Sequence, residues 1–131
     1  LLHALGALLA ARRHGLAATL VVLNDDGGGI FSHLPIARFG EAVAFEELFR
    51  ARHGVPLGPA VEGLGARHRR VADPDGLRVA LAQALESPGV DVLEVPLDAE
   101  ANLAHHRRLD AAVAEALAAG SADAAEEGSG R

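Results

Sequence analysis

The run Val21-Val22-Leu23-Asn24-Asp25-Asp26-Gly27-Gly28-Gly29-Ile30-Phe31 constrains this chain more than any other stretch. An apolar, β-branched segment stops at three polar residues. Three glycines follow, then two large apolar side chains. The first part reads as a buried strand. Carboxylate and amide oxygens at a strand's end, beside backbone freed by glycine, suit a hard cation and a phosphate group. In open α/β sheets, ligands sit at the carboxyl ends of strands. A solvated turn also uses Asp and Gly, which tolerate left-handed backbone, so Asp25 and Asp26 alone leave the two readings level. Ile30 and Phe31 favour a site, because they suit a pocket wall where a solvated turn would stay polar.

The rest of the chain alternates strands with helices. Leu1 to His14 reads as a helix, with Leu1, Leu5, Leu8 and Leu9 at helical spacing. Arg12, Arg13 and His14 suit its negative end, and Gly15 suits the position after it. Ala18 to Asn24 is the first strand, apolar on both faces as in a parallel sheet covered by helices. Asn24 to Gly40 is a long loop broken by Pro35. Phe45 to Arg52 forms a short helix with Phe45, Leu48 and Phe49 inward. Gly54 to Pro59 connects, Pro59 to Gly65 makes another short helix, and Arg67 to Val71 a short strand. Asp73-Pro74 starts a helix, an N-cap followed by Pro at the first helical position. Its face is Leu77, Ala80, Leu81, Ala84 and Leu85, and Ser87-Pro88-Gly89 ends it. Val90 to Leu97 is the second clear strand. Asp98 caps a last helix to about Ala119, with Leu103, Leu109, Val113 and Leu117 on one side. Residues 120–131 are small, acidic and Gly/Ser-rich, as in a disordered tail. The pattern predicts one α/β domain over 1–119, with a mostly parallel sheet flanked by helices.

Composition removes several function classes. The chain has 131 residues, enough for one domain with a real core, and a formal net charge of −6, which argues against nucleic-acid binding. There is no Cys, hence no disulfide framework and no thiol nucleophile. There is no Lys, which removes a P-loop lysine, a Schiff base and a lysine general base. No apolar run reaches the ~20 residues that span a bilayer, and no signal peptide is visible, so a cytoplasmic location without membrane insertion is expected. Met is absent even at position 1, and the chain opens with the character of a helix interior, as a piece of a longer protein would. The seven His lack metal-ligand spacing and read as surface residues. Arg67-His68-Arg69-Arg70 reads as a solvated strand edge. Arg38, in the long loop, is a candidate for meeting a substrate carboxylate.

The run from Val21 through Ser32-His33-Leu34-Pro35 resembles the second half of the thiamine diphosphate motif. More narrowly, it is similar to the version in the 2-succinyl-5-enolpyruvyl-6-hydroxy-3-cyclohexene-1-carboxylate (SEPHCHC) synthases of menaquinone biosynthesis. The resemblance continues through Phe45-Glu46-Glu47-Leu48-Phe49, Gly65 to Val71, Leu93-Glu94-Val95 and Ala101 to Leu109, nearly the whole chain apart from the tail. It implies a C-terminal thiamine diphosphate-binding domain. In it the Asp25 side chain and the Gly27 carbonyl would bind Mg²⁺, while Asn24 and Asp26 shape the loop. Asn24, Asp25, Asp26, Gly27, Gly28, Ile30 and Phe31 would contact the cofactor; Phe31 and Leu34 would line the substrate pocket, to which the position of Arg38 in the same loop adds that residue. The implied reaction decarboxylates 2-oxoglutarate and adds the four-carbon unit to isochorismate, in a homo-oligomer. The family's opening Gly-Asp would fall a few residues before Leu1, and Ala4 and Gly6 replace a usual Asp and Asn. The family's activating glutamate lies in another domain, so no catalytic residue is expected in this piece, which alone would be inactive. Three rivals are a degenerate, inactive fragment that still folds, a relative of acetolactate synthase, and a noncatalytic receiver-like Mg²⁺-binding module. The last normally carries a Lys that this chain lacks.

Overall fold

The computed structural model describes residues 1–128, with side chains as far as Ala119. Two compact units divide at Leu97 and Asp98. In the first, three parallel strands form one sheet: β1 (Ala18–Asn24), β2 (Arg67–Arg70) and β3 (Val90–Pro96). Their order is β1-β3-β2. β3 pairs with β1 from Ala18↔Val90 to Asn24↔Pro96, and with β2 from Arg67↔Asp91 to Arg70↔Glu94. Successive side chains on a strand face opposite ways, so Val92 and Leu93 serve two different cores. Val92 joins Leu8 of α1 (Gly6–Arg13), Val61 of α2 (Leu57–Gly63), Ala66 and Val90, with Leu20 and Val22 of β1 against them. Leu93 joins Val71 and, from α3 (Pro74–Leu85), Ala80 and Ala84. Helices thus cover both faces of the central strand, and the α/β class with a parallel sheet follows the sequence.

Several local expectations need correction. The first helix is split: a 3₁₀ turn covers Leu2–Ala4 before α1 begins at Gly6, and Leu9 is exposed although Leu8 is buried. β1 is not covered on both faces. It is an edge strand, and Val21 and Leu23 are exposed, while Leu20 and Val22 face the core. The long loop contains 3₁₀ turns at Gly29–His33 and Pro35–Val43. α2 starts earlier than expected, at Leu57, so Pro59 falls in its first turn, where a missing N–H costs no helix bond.

The segment after Phe45 differs most. Glu46–Arg50 is a π-helical turn, closed by the Ala51 N–H donating to the Glu46 carbonyl at 3.0 Å. In a π turn, residues five apart share a face. Arg50 therefore lies on the side of Phe45 and is buried, whereas Leu48, expected inward from α-helical spacing, is exposed.

The second unit is α4 (Ala99–Gly128). Asp98 caps it as expected: its Oδ1 accepts from the Glu100 and Ala101 N–H groups, each at 3.0 Å. α4 runs to Gly128, past the end expected near Ala119, and residues 129–131 of the expected tail lie outside the described residues. Among the described residues, no helix is long and apolar enough to cross a membrane.

Candidate functional site

β1 ends at Asn24 and the chain turns at once. Asn24 Oδ1 accepts from the Asp26 N–H at 3.1 Å, while its Nδ2 donates to Glu94 Oε1 of β3 at 2.8 Å. Glu94 Oε2 lies 2.8 Å from His68 Nε2 of β2. One buried carboxylate thus joins the loop's first residue to both neighbouring strands. Burial alone pushes the Glu94 carboxyl up. Hydrogen bonds from Asn24 and His68, with the charges of His68 and Arg70, outweigh that and hold it below the usual carboxylate value.

Asp26 takes a left-handed backbone, φ 63°, which Asp tolerates better than most residues. Its Oδ1 accepts from the Gly54 N–H at 2.8 Å and lies 3.3 Å from His53 Nδ1. Its carbonyl accepts from the His53 N–H at 3.2 Å. Asp26 therefore fastens the loop to residues 53–54. Asp25 Oδ1 accepts from the Gly27 N–H at 3.3 Å, and Oδ2 meets no donor among the described residues.

The glycines permit close approach. At Gly27, φ 145°, a Cβ would sit 2.5 Å from the Arg50 carbonyl and 3.0 Å from that of Ala51. At Gly29 it would overlap Asp25 Oδ2 and stand 3.0 Å from Arg50 Nη1. The Gly28 N–H donates to the Arg50 carbonyl at 2.7 Å, the Gly29 N–H to the Gly27 carbonyl at 3.0 Å, and the Phe31 N–H to the Gly28 carbonyl at 3.0 Å. The amides of Asp26, Gly27, Gly28, Gly29 and Phe31 are all bonded within the protein. The anion-holding run of free N–H groups that glycine suggested is closed here. The Gly27 carbonyl, expected to bind metal, keeps one lone pair beside its bond from Gly29.

Behind the loop the Phe31 and Phe49 rings meet edge to face at 5.7 Å, and Phe45 stacks on Phe49 at 5.7 Å. Ile30 and Leu34 are exposed, and Phe31 is 37% exposed. Arg38 is exposed, its Nε donating to the Pro35 carbonyl at 3.1 Å. Arg50 is 3% exposed, and neither Nη has a hydrogen-bond partner among the described residues. Among those residues no cluster of three or more His, Asp or Glu is arranged to hold a metal. The loop offers one carboxylate and one carbonyl. A cleft of about 650 Å³ over α1 and one of about 390 Å³ beside β2 and α3 are lined by residues outside the loop.

The sequence singled out the loop but missed four residues that meet it or its anchor: Arg50, His53, His68 and Glu94. His53 and His68 are not the surface histidines expected, since each faces a carboxylate. Two polar residues inside the apolar β3 run, Asp91 and Glu94, were the available signal. A central parallel strand is otherwise continuously apolar. Asp91 pairs with Arg67, Nε to Oδ1 at 2.8 Å, and the Arg67–Arg70 strand does form a sheet edge.

No family model matches the chain. The SEPHCHC synthase of Myxococcus xanthus is 45% identical over 120 residues, covering 92% of this chain and 20% of that protein. That of Geobacillus kaustophilus is 41% identical over 88% of this chain and 20% of its own. That of Chloroflexus aurantiacus is 41% identical over 90% and 20%. The chain spans about a fifth of the length of these relatives. Along about nine-tenths of its length, then, this chain is a relative of one part of the 2-succinyl-5-enolpyruvyl-6-hydroxy-3-cyclohexene-1-carboxylate synthases.

Proposed function

We propose that this chain is the thiamine diphosphate-binding portion of a SEPHCHC synthase, with the Asn24–Phe31 loop holding the cofactor's diphosphate through Mg²⁺. The observation that carries the reading is Asp25. Its Oδ1 is tied to the loop while Oδ2 meets no donor among the described residues, against a glycine whose Cβ would overlap it. A carboxylate oxygen held in place and left unbonded suits a hard cation that takes one or two carboxylates and fills its shell with phosphate and water. The residues fit the group: Asp25 Oδ2 and the Gly27 carbonyl would be metal ligands, and Gly29, lacking a Cβ, leaves room for the Asp25 carboxylate.

When bound, thiamine diphosphate supplies the carbanion that carries the acyl transfer. This chain's residues hold and shield. Glu94 fixes Asn24, Asn24 sets the turn at Asp26, and Asp26 ties the turn to His53 and Gly54. Ile30, Phe31 and Leu34 give apolar surface that cofactor and substrate cover, excluding water. In the full-length protein the substrates are 2-oxoglutarate and isochorismate, the assembly is a homo-oligomer, and the reaction belongs to menaquinone biosynthesis in the cytoplasm. The names borne by the relatives support this over an acetolactate-synthase relative or a receiver-like module. No catalytic side chain is assigned within this stretch, and by itself it does not turn over.

The test is Asp25→Ala in the full-length protein, read by calorimetric titration with thiamine diphosphate and Mg²⁺. Mg²⁺-dependent binding should disappear while the melting temperature without ligand changes little. Undiminished binding by the variant would remove Asp25 as a ligand and the reading with it.

A further inference from the structure

We propose that Arg50 binds a phosphate oxygen of the diphosphate through its two Nη groups, an inference that rests on the cofactor reading above. A guanidinium stays charged at any ordinary pH. Arg50 is 3% exposed, and its Nη1 and Nη2 meet no partner among the described residues. A buried guanidinium whose Nη groups make no hydrogen bond is strongly unfavourable, and removal of water cannot be offset by packing alone. The side chain is also held at the loop, because the Arg50 carbonyl accepts from the Gly28 N–H at 2.7 Å.

The position of the guanidinium identifies the ligand chemistry. Nη1 lies 3.0 Å from the point where a Gly29 Cβ would stand, and Asp25 Oδ2 overlaps the same point. An acid and a base therefore come close together beside Gly29 without a hydrogen bond between them. A free divalent cation beside Asp25 would be repelled by Arg50. A simple carboxylate beside Arg50 would be repelled by Asp25. A phosphate that carries its own Mg²⁺ satisfies both, with oxygen toward Arg50 and metal toward Asp25. The amides of Asp26, Gly27, Gly28, Gly29 and Phe31 are already bonded within the protein, and the chain contains no Lys. Among the described residues Arg50 is the one buried cation, and it lies at the loop. Two left-handed non-glycine residues, Asp26 at φ 63° and Ala51 at φ 40°, mark the two segments that meet here. Such strain is retained where surrounding structure enforces it, often at binding sites.

The experiment compares wild type, Arg50→Met and Arg50→Lys in the full-length protein. Each is titrated calorimetrically with inorganic pyrophosphate, thiamine diphosphate and 2-oxoglutarate in the presence of Mg²⁺, and each is melted without ligand. Arg50→Met should weaken pyrophosphate and thiamine diphosphate by about tenfold to a hundredfold. Its melting temperature should hold or rise, because buried Nη groups without hydrogen bonds are gone. Arg50→Lys, which keeps charge but loses the fork, should fall between. Pyrophosphate binding equal to wild type in either variant overturns the proposal, as does a loss confined to 2-oxoglutarate. If Arg50→Met does not fold, Arg50→Lys decides alone on the same criterion. Wild type that binds neither phosphate ligand sinks the cofactor reading itself, whereas wild-type binding that ignores Arg50 sinks only this proposal.

Discussion

Glu94 is the residue on which the loop depends most. It is 7% exposed and accepts from Asn24 while facing His68. Glu94→Gln keeps the shape but leaves imperfectly matched groups buried, a loss of about 1–3 kcal/mol by urea denaturation. Its folded carboxyl is held below the ordinary value. The stability it contributes is therefore present above the unfolded-state value of about 4.3, and is lost as pH falls through the lower folded value. The acid limb of a stability-against-pH curve should be shallower in Glu94→Gln than in wild type; coincident limbs would remove Glu94 from acid unfolding. Asp25 and Asp26 were legible at this scale because polar residues after an apolar strand stand out. Glu94's partners were not, since they depend on which strands become neighbours.

Elements show where local chemistry suffices and where it fails. Asp73 accepts from the Gly76 N–H at 2.7 Å, with Pro74 following, as its sequence announces. Asp73→Ala should cost about 1 kcal/mol in chemical denaturation; a change within error would make the cap irrelevant to α3. Phe45 to Arg52 was read at α-helical spacing, which turns Leu48 inward. The π turn changes the residues per turn and turns Arg50 inward instead. A helix-period pattern cannot distinguish the two over five residues, so the buried arginine was hidden by the choice of period. The positive φ of Ala51 gave no warning either, because Ala carries no preference for that backbone.

Across the first unit, the parallel α/β class was legible from strands alternating with helices, and β1 matched its expected bounds. The order was not. The most apolar-looking strand, β1, lies at the edge, and β3, interrupted by Asp91 and Glu94, is central. Those two acids find Arg67 and His68 across the sheet, so polarity within a strand was compatible with burial once partners existed. Leu93 is fully buried between β3 and α3. Leu93→Ala should cost about 2–5 kcal/mol by equilibrium denaturation; a loss near zero would contradict a core centred on β3. The relatives extend the sequence resemblance over about nine-tenths of the chain but only a fifth of their own length. The most direct measurement is a calorimetric titration of the full-length protein with thiamine diphosphate, once with Mg²⁺ and once with the divalent ions chelated. Saturable binding that vanishes on chelation is the predicted result; no binding in either condition, or binding indifferent to the metal, would contradict the account.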